Sequence, residues 1–576
     1  MSEVNGETDL LRELVHLEGV RKPIYPAVKA LIDLLDQATR DQNLITLGGG
    51  APGMAPPQFV QTAAAYDQMI VTAHEDVETG EKYEAGAKIP ENISPDRIRP
   101  ISRAEQLNYF KYTASAGIKP ARQAALLDTL DFCNFPASQT FAKRYFSGEP
   151  KTVSPETVKQ LWNETLGKAE VWRKPGLSEM EPFQYFLLAP GSSYAVAYIL
   201  RFLARAKRDF VLTDPTYIGY PEPILHYGGK IKWCPTDGKY WPVFHQLKKK
   251  LKKGDVFLYL SPSNPTGAQY SYEFTKALVK LVNRKNSFLI GDFAYRYLIY
   301  EPAKLEEMHR SYAYICQHTR NLIGINTISK EGSNPGSRIG YIFSNIPSFP
   351  EWFEDEAPWE YLIINVPAQY ATMRFFGFTT LRKVVGVDHK VVDHKVPNVF
   401  CSYPAYYHAK QEYIEKQLLR MYRIRREALM KALAEHLGLK AGVDYNPPDG
   451  ALFVYANFSK VIEEAYLDGT EIVEKYNDYQ SNYDQLLNDY MAGQDHFIRT
   501  SPAFKLTQDV RKKNVDILPG VFFGAAQGLN FRLNFVTESP HRLDSAIKRI
   551  KTFVDRGDKG NMYTQEERKR IKWLHN

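Results

Sequence analysis

The sequence predicts an α/β fold: a large domain on a mainly parallel sheet, and a smaller α+β domain formed by the N-terminal segment and the C-terminal part. Apolar strand-like runs alternate with helical patterns from about residue 185 to 345. These runs are almost continuously apolar, as in strands that helices cover on both faces. From about residue 400, a long helical pattern precedes the short strand-like runs GALFVYANF and FRLNFV, which favours the second domain.

The alternating block presents its elements in a regular order. The run QYFLLAPGSS enters a turn and is followed by the helical pattern YAVAYILRFLARAKRD. Two more strand-like runs end in DPTY and NPTG, an amphipathic helix follows in SYEFTKALVKLVNRKN, and the last two runs end in DFAY and TISK. Because ligands bind at the carboxyl ends of strands in open α/β sheets, these five turns are expected to meet at one edge.

Changes in composition suggest the domain boundaries. We expect residues 1–60 to join the small domain, residues 61–398 to form the large domain, and residues 399–576 to complete the small domain. Segments rich in charge, proline and aromatic residues predict insertions near 78–105, 135–182, 348–398 and 462–510.

Charge and hydropathy argue against a nucleic-acid or membrane partner. The 576 residues carry 73 basic and 66 acidic side chains, with both signs spread along the chain. The one dense basic run, Lys248 to Lys253, is typical of a solvated helix end. No apolar stretch is long enough to span a bilayer.

Cysteine usage and the N-terminus favour the cytoplasm. The four cysteines are far apart in sequence and form no CxxC pair, which argues against a disulfide framework or a zinc site. The acidic N-terminus has no apolar core of a secretory signal.

Two further patterns are weak. Residues 48–53, GGGAPG, match GxGxxG, but Pro52 and the following prolines disfavour the helix that a dinucleotide site requires. His389 and His394 are five residues apart, which suits neither one face of a helix nor one face of a strand, so we expect no metal site.

The five turns combine side chains that suit one particular cofactor. A lysine can form a Schiff base with an aldehyde, and a carboxylate can pair with a protonated ring nitrogen. Arginine and a Gly-Ser turn at a helix start suit a phosphate. An aldehyde, a ring nitrogen and a phosphate together describe pyridoxal 5′-phosphate (PLP).

The ordered set of motifs resembles the fold-type I PLP-dependent enzymes of the class I/II aminotransferase family. The set is YTASAGIKPAR, PGSS, DPTY, NPTG, DFAY, TISKEGSNPGSRIG and FRLNF. The resemblance covers about residues 20–60, 108–125, 185–345 and 400–540, and it implies a PLP-transferase-like large domain.

The resemblance implies how the cofactor ring is held. Lys330 corresponds to the Schiff-base lysine, and Asp292 to the carboxylate that keeps the ring nitrogen protonated. Tyr217 is expected to stack on the ring, while Tyr295 and Asn264 are expected to hydrogen-bond its phenolic oxygen. Lys330, Asp292 and Tyr217 are the predicted catalytic residues.

The resemblance also implies a phosphate site, which explains the eight-residue spacing between Lys330 and Arg338. Ser192, Ser193, Thr327 and Arg338 are expected to bind the phosphate. Tyr112 resembles a tyrosine that reaches the phosphate from a neighbouring subunit, so the resemblance implies a homodimer.

The substrate is expected to be bound by Arg532, Gly50 and Asn264. Arg532 resembles the arginine that pairs with the substrate α-carboxylate, and Gly50 a glycine that lets the N-terminal segment pass close over the substrate. The sequence departs from the family pattern at PGSS and at Glu331, where a small or hydroxyl residue is usual.

These residues predict an amino-acid aminotransferase that moves an α-amino group to a 2-oxo acid through a Lys330 Schiff base and a pyridoxamine phosphate intermediate. The alternative is a PLP-dependent β-decarboxylase, lyase, cyclase or oxidase on the same scaffold, because substrate pose decides which bond to Cα breaks. A regulatory protein without turnover is disfavoured, since no DNA-binding module fits before the family-like segment.

Overall fold

The structure is a computed structural model of the 576-residue chain. It describes residues 43–56, 71–106, 111–134, 155–376, 384–385, 391–392, 410, 412–465, 502–524 and 529–555. Cys401 and the His389/His394 pair lie outside these ranges, as do residues 1–42 and most of the predicted insertion at 462–510.

Seventeen strands and fifteen α-helices are labelled in chain order within the described residues. The strands are β1 (Ile45–Thr46), β2 (Val71–Asp76), β3 (Lys82–Glu84), β4 (Ile98–Ser102), β5 (Phe186–Ala189), β6 (Asp209–Asp214), β7 (Lys230–Pro235), β8 (Val256–Leu260), β9 (Phe288–Asp292), β10 (Leu322–Thr327), β11 (Gly340–Ser344), β12 (Val384–Val385), β13 (Val391–Val392), β14 (Phe453–Asn457), β15 (Val515–Asp516), β16 (Leu518–Pro519) and β17 (Asn530–Asn534). The helices are α1 (Arg103–Gln106), α2 (Lys119–Cys133), α3 (Pro155–Thr165), α4 (Ser192–Arg205), α5 (Pro221–His226), α6 (Phe244–Lys250), α7 (Tyr272–Arg284), α8 (Pro302–His318), α9 (Ile328–Glu331), α10 (Phe349–Tyr361), α11 (Val366–Phe375), α12 (Arg420–Leu437), α13 (Ser459–Ala465), α14 (Pro502–Arg511) and α15 (Pro540–Asp555). A π-helix, Glu412–Leu419, leads into α12.

The central sheet has seven strands in the order β5-β11-β10-β9-β8-β6-β7. The pairs β10·β9, β9·β8, β8·β6 and β6·β7 are parallel, whereas β11 runs antiparallel to both β10 and β5. The predicted mainly parallel sheet is therefore confirmed.

Helices cover both faces of this sheet, which explains the continuous apolar runs. Successive strand residues point to opposite faces, so Leu187 and Leu258 lie in one buried cluster while Leu188 and Phe257 lie in the other. Each cluster packs helices against the sheet and fixes the strands whose carboxyl ends form the site.

The C-terminal part forms a second, antiparallel sheet of β14, β17 and β16. The short strand β1 pairs with β15, with Ile45 opposite Val515. This pairing brings the segment at residues 45–51 from the N-terminal region to the C-terminal part, as expected for a shared small domain.

The predicted insertion at 78–105 is more regular than its composition suggested. Strand β2 pairs antiparallel with β3, β4 and β12. Arg97 forms ion pairs with Asp76 at 2.6 Å and with Glu78 at 3.0 Å on this sheet. Its charge-rich sequence thus belongs to a separate sheet, which periodicity alone did not reveal.

Within the described ranges, no helix is both long and apolar enough to cross a membrane. The same residues contain no group of three His, Cys, Asp or Glu side chains placed to hold a metal ion.

Candidate active site

A cavity of about 300 Å³ opens at the carboxyl ends of the parallel strands. Its walls come from turns after β5, β6, β8, β9 and β10, from the segment at residues 48–51, and from β17. The predicted residues that line it are Ser192, Ser193, Tyr217, Asn264, Asp292, Tyr295, Lys330, Arg532 and Gly50. The structure therefore brings most of the predicted site together.

Lys330 lies on the one-turn helix α9, directly after β10. Its Nζ donates a hydrogen bond of 2.5 Å to the carbonyl oxygen of Gly50. Burial lowers the pKa of the Lys330 amine to about 8, and the guanidinium groups of Arg532 and Arg338 act in the same direction. A larger fraction of the amine is consequently unprotonated near neutral pH than for a solvated lysine, as a nucleophile requires.

Asp292 ends β9 inside the cavity and has two hydrogen-bond donors. Its Oδ1 accepts from the N–H of Ala294 at 3.1 Å, and its Oδ2 accepts from the hydroxyl of Tyr220 at 2.9 Å. Burial raises the pKa of the Asp292 carboxyl, while these two bonds and the charge of Lys330 oppose the rise. A protonated ring nitrogen beside Asp292 would further stabilise the carboxylate.

Sequence analysis did not identify Tyr220. Its ring lies edge-on to that of Tyr217, with centroids 5.2 Å apart, and its hydroxyl is buried against Asp292. The available signal was a second tyrosine three residues after Tyr217 in the turn that follows β6.

Tyr295 and Asn264 occupy the wall between Asp292 and Arg532. The Asn264 side-chain N–H lies 3.5 Å from the Tyr295 hydroxyl, and Asn264 Oδ1 accepts from Arg532 Nη1 at 3.0 Å. Asn264 therefore contacts both the expected ring-oxygen partner and the expected carboxylate partner.

The N-terminus of α4 forms one end of the cavity, and the exposed Arg338 lies beside this helix start without lining the cavity. Gly191 caps α4 with φ +86°, and a Cβ placed there would lie 2.8 Å from Arg338 Nη2. The guanidinium is thus held beside the helix start that carries Ser192 and Ser193. A helix N-terminus, two hydroxyls and a guanidinium suit a phosphate group.

Thr327, Tyr112 and Arg338, which the sequence analysis placed in the site, do not line this cavity. The buried Thr327 hydroxyl donates to the Ile339 carbonyl oxygen at 2.8 Å and accepts from the Ser329 N–H at 3.2 Å, so it caps the helix that carries Lys330. Tyr112 is 81% exposed on the protein surface.

Arg532, on β17, is buried between the rings of Phe453 and Phe523, whose centroids lie 4.2 and 4.9 Å from its guanidinium carbon. Its Nη2 donates to the Gly48 carbonyl oxygen at 2.6 Å, and its Nε has no hydrogen-bond partner in the described part of the chain. Burial lowers the pKa of Arg532 to about 10. The guanidinium retains unused N–H groups for a carboxylate.

Gly50 lines the cavity, but the tightest contact of this segment is at Gly48. A Cβ at Gly50 would approach Arg532 and Phe453 no closer than 3.9 Å, which is ordinary contact. A Cβ at Gly48 would lie 2.7 Å from Asp516 Oδ2. The sequence therefore located the segment, whereas the structure identifies Gly48 as the sterically restricted residue.

The side chains present fit PLP. A nucleophilic amine, a buried carboxylate and a helix N-terminus surround one cavity, and Gly191 before that helix has φ +86°, a conformation that disfavours a side chain there. These groups complement an aldehyde, a pyridine nitrogen and a phosphate.

Comparison with known proteins agrees with this geometry. Residues 169–550 match the family described as "Aminotransferase class I and II". The chain is 25% identical over 288 residues to a probable aspartate aminotransferase of Methanocaldococcus jannaschii, an alignment that covers 50% of this chain and 64% of that relative. It is 24% identical over 434 residues to a probable aspartate/prephenate aminotransferase of Aquifex aeolicus, covering 74% of this chain and 88% of that one.

Solved structures confirm the predicted fold class. Aspartate aminotransferase of Thermus thermophilus with maleate aligns with a TM-score of 0.54 at 18% identity, covering 92% of this chain and 96% of that chain. An aromatic aminotransferase of Pyrococcus horikoshii aligns with the same TM-score at 16% identity, covering 91% and 99%.

Proposed function

The chain belongs to the aminotransferase class I and II family, and we propose that it transfers an amino group from an α-amino acid to a 2-oxo acid with PLP as cofactor. The observation that carries the proposal is the convergence of Lys330, Asp292 and Arg532 on one cavity. When bound, PLP supplies an electron sink for the carbanion that forms at the substrate α-carbon.

Lys330 has two tasks in this proposal. Its unprotonated Nζ is the group that would hold the cofactor, because an amine condenses with an aldehyde with loss of water. As a free amine, Nζ would take the proton from the substrate α-carbon and return a proton later in the reaction. A pKa of about 8 keeps the amine close to the range in which it can do both.

The remaining side chains bind and orient the cofactor. Asp292 would pair with the ring nitrogen, Tyr217 would stack on the ring, and Tyr295 and Asn264 would hydrogen-bond the ring oxygen. Ser192, Ser193 and Arg338 would hold the phosphate, whereas Thr327 donates its hydroxyl proton to Ile339 and caps α9 instead.

Arg532 grips the α-carboxylate through N–H groups that its bonds to Asn264 and Gly48 leave unused. The segment at 48–51 lines the cavity, and the carbonyl oxygen of Gly50 accepts a hydrogen bond from Lys330 Nζ.

We infer a cytoplasmic homodimer in which Tyr112 reaches the partner's phosphate site. Tyr112, Trp359 and Leu362 are 81%, 87% and 53% exposed, and Tyr361 donates to the Ser115 carbonyl oxygen at 3.2 Å, which joins the two exposed segments. Exposed apolar residues that cluster in this way favour an interface with a second copy. Light scattering of the Tyr112→Ala and Trp359→Ala variants tests the dimer.

An absorption experiment tests the proposed activity. Protein loaded with PLP is mixed with single amino acids without any 2-oxo acid. Loss of the visible band with one equivalent of 2-oxo acid per site, and its return when a second 2-oxo acid is added, is the expected result. Catalytic release of CO₂, of ammonia with pyruvate, or of peroxide would instead support a decarboxylase, lyase or oxidase. The Lys330→Ala variant provides the control for non-enzymatic PLP chemistry.

A further inference from the structure

Asp516 is a buried carboxylate next to the cavity wall, and the proposed reaction does not use it. It ends β15 and is only 2% exposed. Its backbone carbonyl oxygen accepts a hydrogen bond of 2.8 Å from the N–H of Leu47, one residue before Gly48. Its Oδ2 is so close to Gly48 that a Cβ placed there would lie 2.7 Å away. Gly48 lines the cavity, so Asp516 packs directly against the wall without lining the cavity itself.

The same glycine connects Asp516 with Arg532. The carbonyl oxygen of Gly48 accepts from Arg532 Nη2 at 2.6 Å. Asp516 also acts on the guanidinium through its charge: together with Tyr295 and Tyr217 it raises the pKa of Arg532, against the larger effect of burial. Asp516 is therefore an anionic neighbour of the group that is expected to bind the substrate α-carboxylate.

The charge of Asp516 is only partly compensated. Its Oδ1 has no hydrogen-bond partner in the described part of the chain, and the same holds for Nη2 of Arg511 at the end of α14. Burial raises the pKa of the Asp516 carboxyl to about 7, although Arg511 and Arg532 both lower it. Asp516 consequently changes its charge within the neutral pH range.

The other elements packed against β15 add little to this balance. Strand β1 pairs with it through Ile45 and Thr46, which do not titrate. Helix α15 contributes Arg549, whose guanidinium donates to the backbone oxygens of residues 513 and 514. The charged groups that act on the Asp516 carboxyl are thus Arg511 and Arg532.

A carboxylate bound to Arg532 would change the surroundings of Asp516 in two ways. It would neutralise one of the two cations that stabilise the Asp516 anion, and it would bring a second negative charge close to it. Both effects raise the pKa of Asp516. Because such coupling is reciprocal, an ionised Asp516 must weaken carboxylate binding by the same factor.

We propose that Asp516 controls the affinity of Arg532 for the substrate α-carboxylate. Protonated Asp516 leaves the guanidinium available to the substrate, whereas ionised Asp516 competes for it, so carboxylate binding is accompanied by transfer of one proton from solvent to Asp516. This inference deepens the proposed function and rests on Arg532 being the carboxylate partner.

The test measures how two amines bind to the PLP-loaded full chain, by the change in visible absorption from pH 6 to 9. The first probe is 2-aminoisobutyrate, which has an α-carboxylate. The second is tert-butylamine, in which a methyl group replaces that carboxylate. Neither has a hydrogen on the α-carbon, so transamination cannot follow binding.

Two variants are compared with the unmodified protein. Asp516→Asn removes the titrating charge with little change of shape. Asp509→Asn is the matched control, since it removes a carboxylate of α14 that pairs with Lys512 at 2.7 Å. Near-ultraviolet circular dichroism verifies that each variant is folded.

The unmodified protein and Asp516→Asn should bind 2-aminoisobutyrate equally at pH 6, where Asp516 is protonated. At pH 8.5 the unmodified protein should bind it roughly three- to tenfold more weakly than Asp516→Asn does. The titration of Lys330 is common to both proteins and cancels in this ratio. For tert-butylamine the ratio should not change with pH, and Asp509→Asn should follow the unmodified protein throughout.

The same pH dependence of 2-aminoisobutyrate binding in the unmodified protein and Asp516→Asn overturns the proposal. Weaker binding of both probes at every pH in Asp516→Asn indicates a structural role and overturns it as well. If that variant does not fold, Arg511→Gln decides: loss of this cation raises the pKa of Asp516, so affinity must fall at a higher pH, and an unchanged midpoint refutes the coupling.

Failure of this inference is distinguishable from failure of the proposed function. No spectral change with either amine would exclude Lys330 as the group that holds the cofactor and overturn both. A spectral change without the pH-dependent difference between the proteins would overturn the role of Asp516 alone.

Discussion

Replacement of Arg532 by lysine keeps a positive charge on β17 but removes the planar set of donors. In the structure Nη1 donates to Asn264 and Nη2 donates to the Gly48 carbonyl oxygen, while Phe453 and Phe523 pack against the guanidinium. A lysine ammonium has three N–H groups and cannot serve Asn264, Gly48 and both oxygens of a carboxylate.

The loss therefore amounts to about one charge-assisted hydrogen bond to the substrate, or about 1.5–3 kcal/mol. This free energy corresponds to a decrease in kcat/KM of roughly 10- to 150-fold. The assay compares an amino acid substrate with the amine that lacks its α-carboxylate. Arg532→Lys should slow the amino acid by this factor and leave the slow reaction of the amine nearly unchanged.

Arg549→Lys provides a matched control, because Arg549 lies on α15, does not line the cavity and donates to backbone carbonyl oxygens of residues 513 and 514. Its kcat/KM should equal that of the unmodified protein. Equal losses for the amino acid and the amine in Arg532→Lys would refute carboxylate binding and indicate a structural role. No loss for either would remove Arg532 from the substrate site.

Three further predictions follow from the site. Tyr220→Phe removes the hydroxyl that donates to Asp292 at 2.9 Å, so the pKa of Asp292 should rise. We expect kcat to fall by roughly three- to tenfold with little change in KM. The control Tyr272→Phe, at the start of α7, should have no effect. Because a pKa of about 8 means that Lys330 becomes unprotonated as pH rises, the stopped-flow rate of PLP capture should rise through pH 8 and then level off; a rate that is flat from pH 6 to 10 would contradict this pKa. Gly191→Ala places a Cβ against Arg338 at φ +86° and should weaken PLP binding at least tenfold by fluorescence titration, while Gly336→Ala, with open space around it, should bind normally.

Strands β6, β8, β9 and β10 were readable from the sequence because each is a short apolar run that ends in a polar turn, whereas the edge strand β7, with the sequence KIKWCP, was not identified. That pattern placed Asp292 and Lys330 at the ends of β9 and β10, where the structure has them. The antiparallel direction of β11 was not readable, since an apolar strand has the same pattern in either direction.

Tertiary contacts account for the residues that the sequence did not identify. The sequence around Tyr220 does not indicate its role. In the folded structure its hydroxyl donates a hydrogen bond to Asp292. Buried ion pairs also link residues 128, 296, 331 and 410, which are separated by up to 282 positions, and no local pattern connects them. Glu331 was noticed as a departure, but its partners became visible only in three dimensions.

The sequence by itself determined the α/β class, the cofactor and most of the residues that line the cavity, because nucleophile, carboxylate and anion site each depend on a few residues in one turn. Only the tertiary structure decided which glycine of the 48–51 segment is sterically restricted, which side chain donates a hydrogen bond to Asp292, and which residues contact Glu331. Those features depend on distances between segments that are remote along the chain, and the hydrophobic pattern that specifies strands and helices carries no information about such distances.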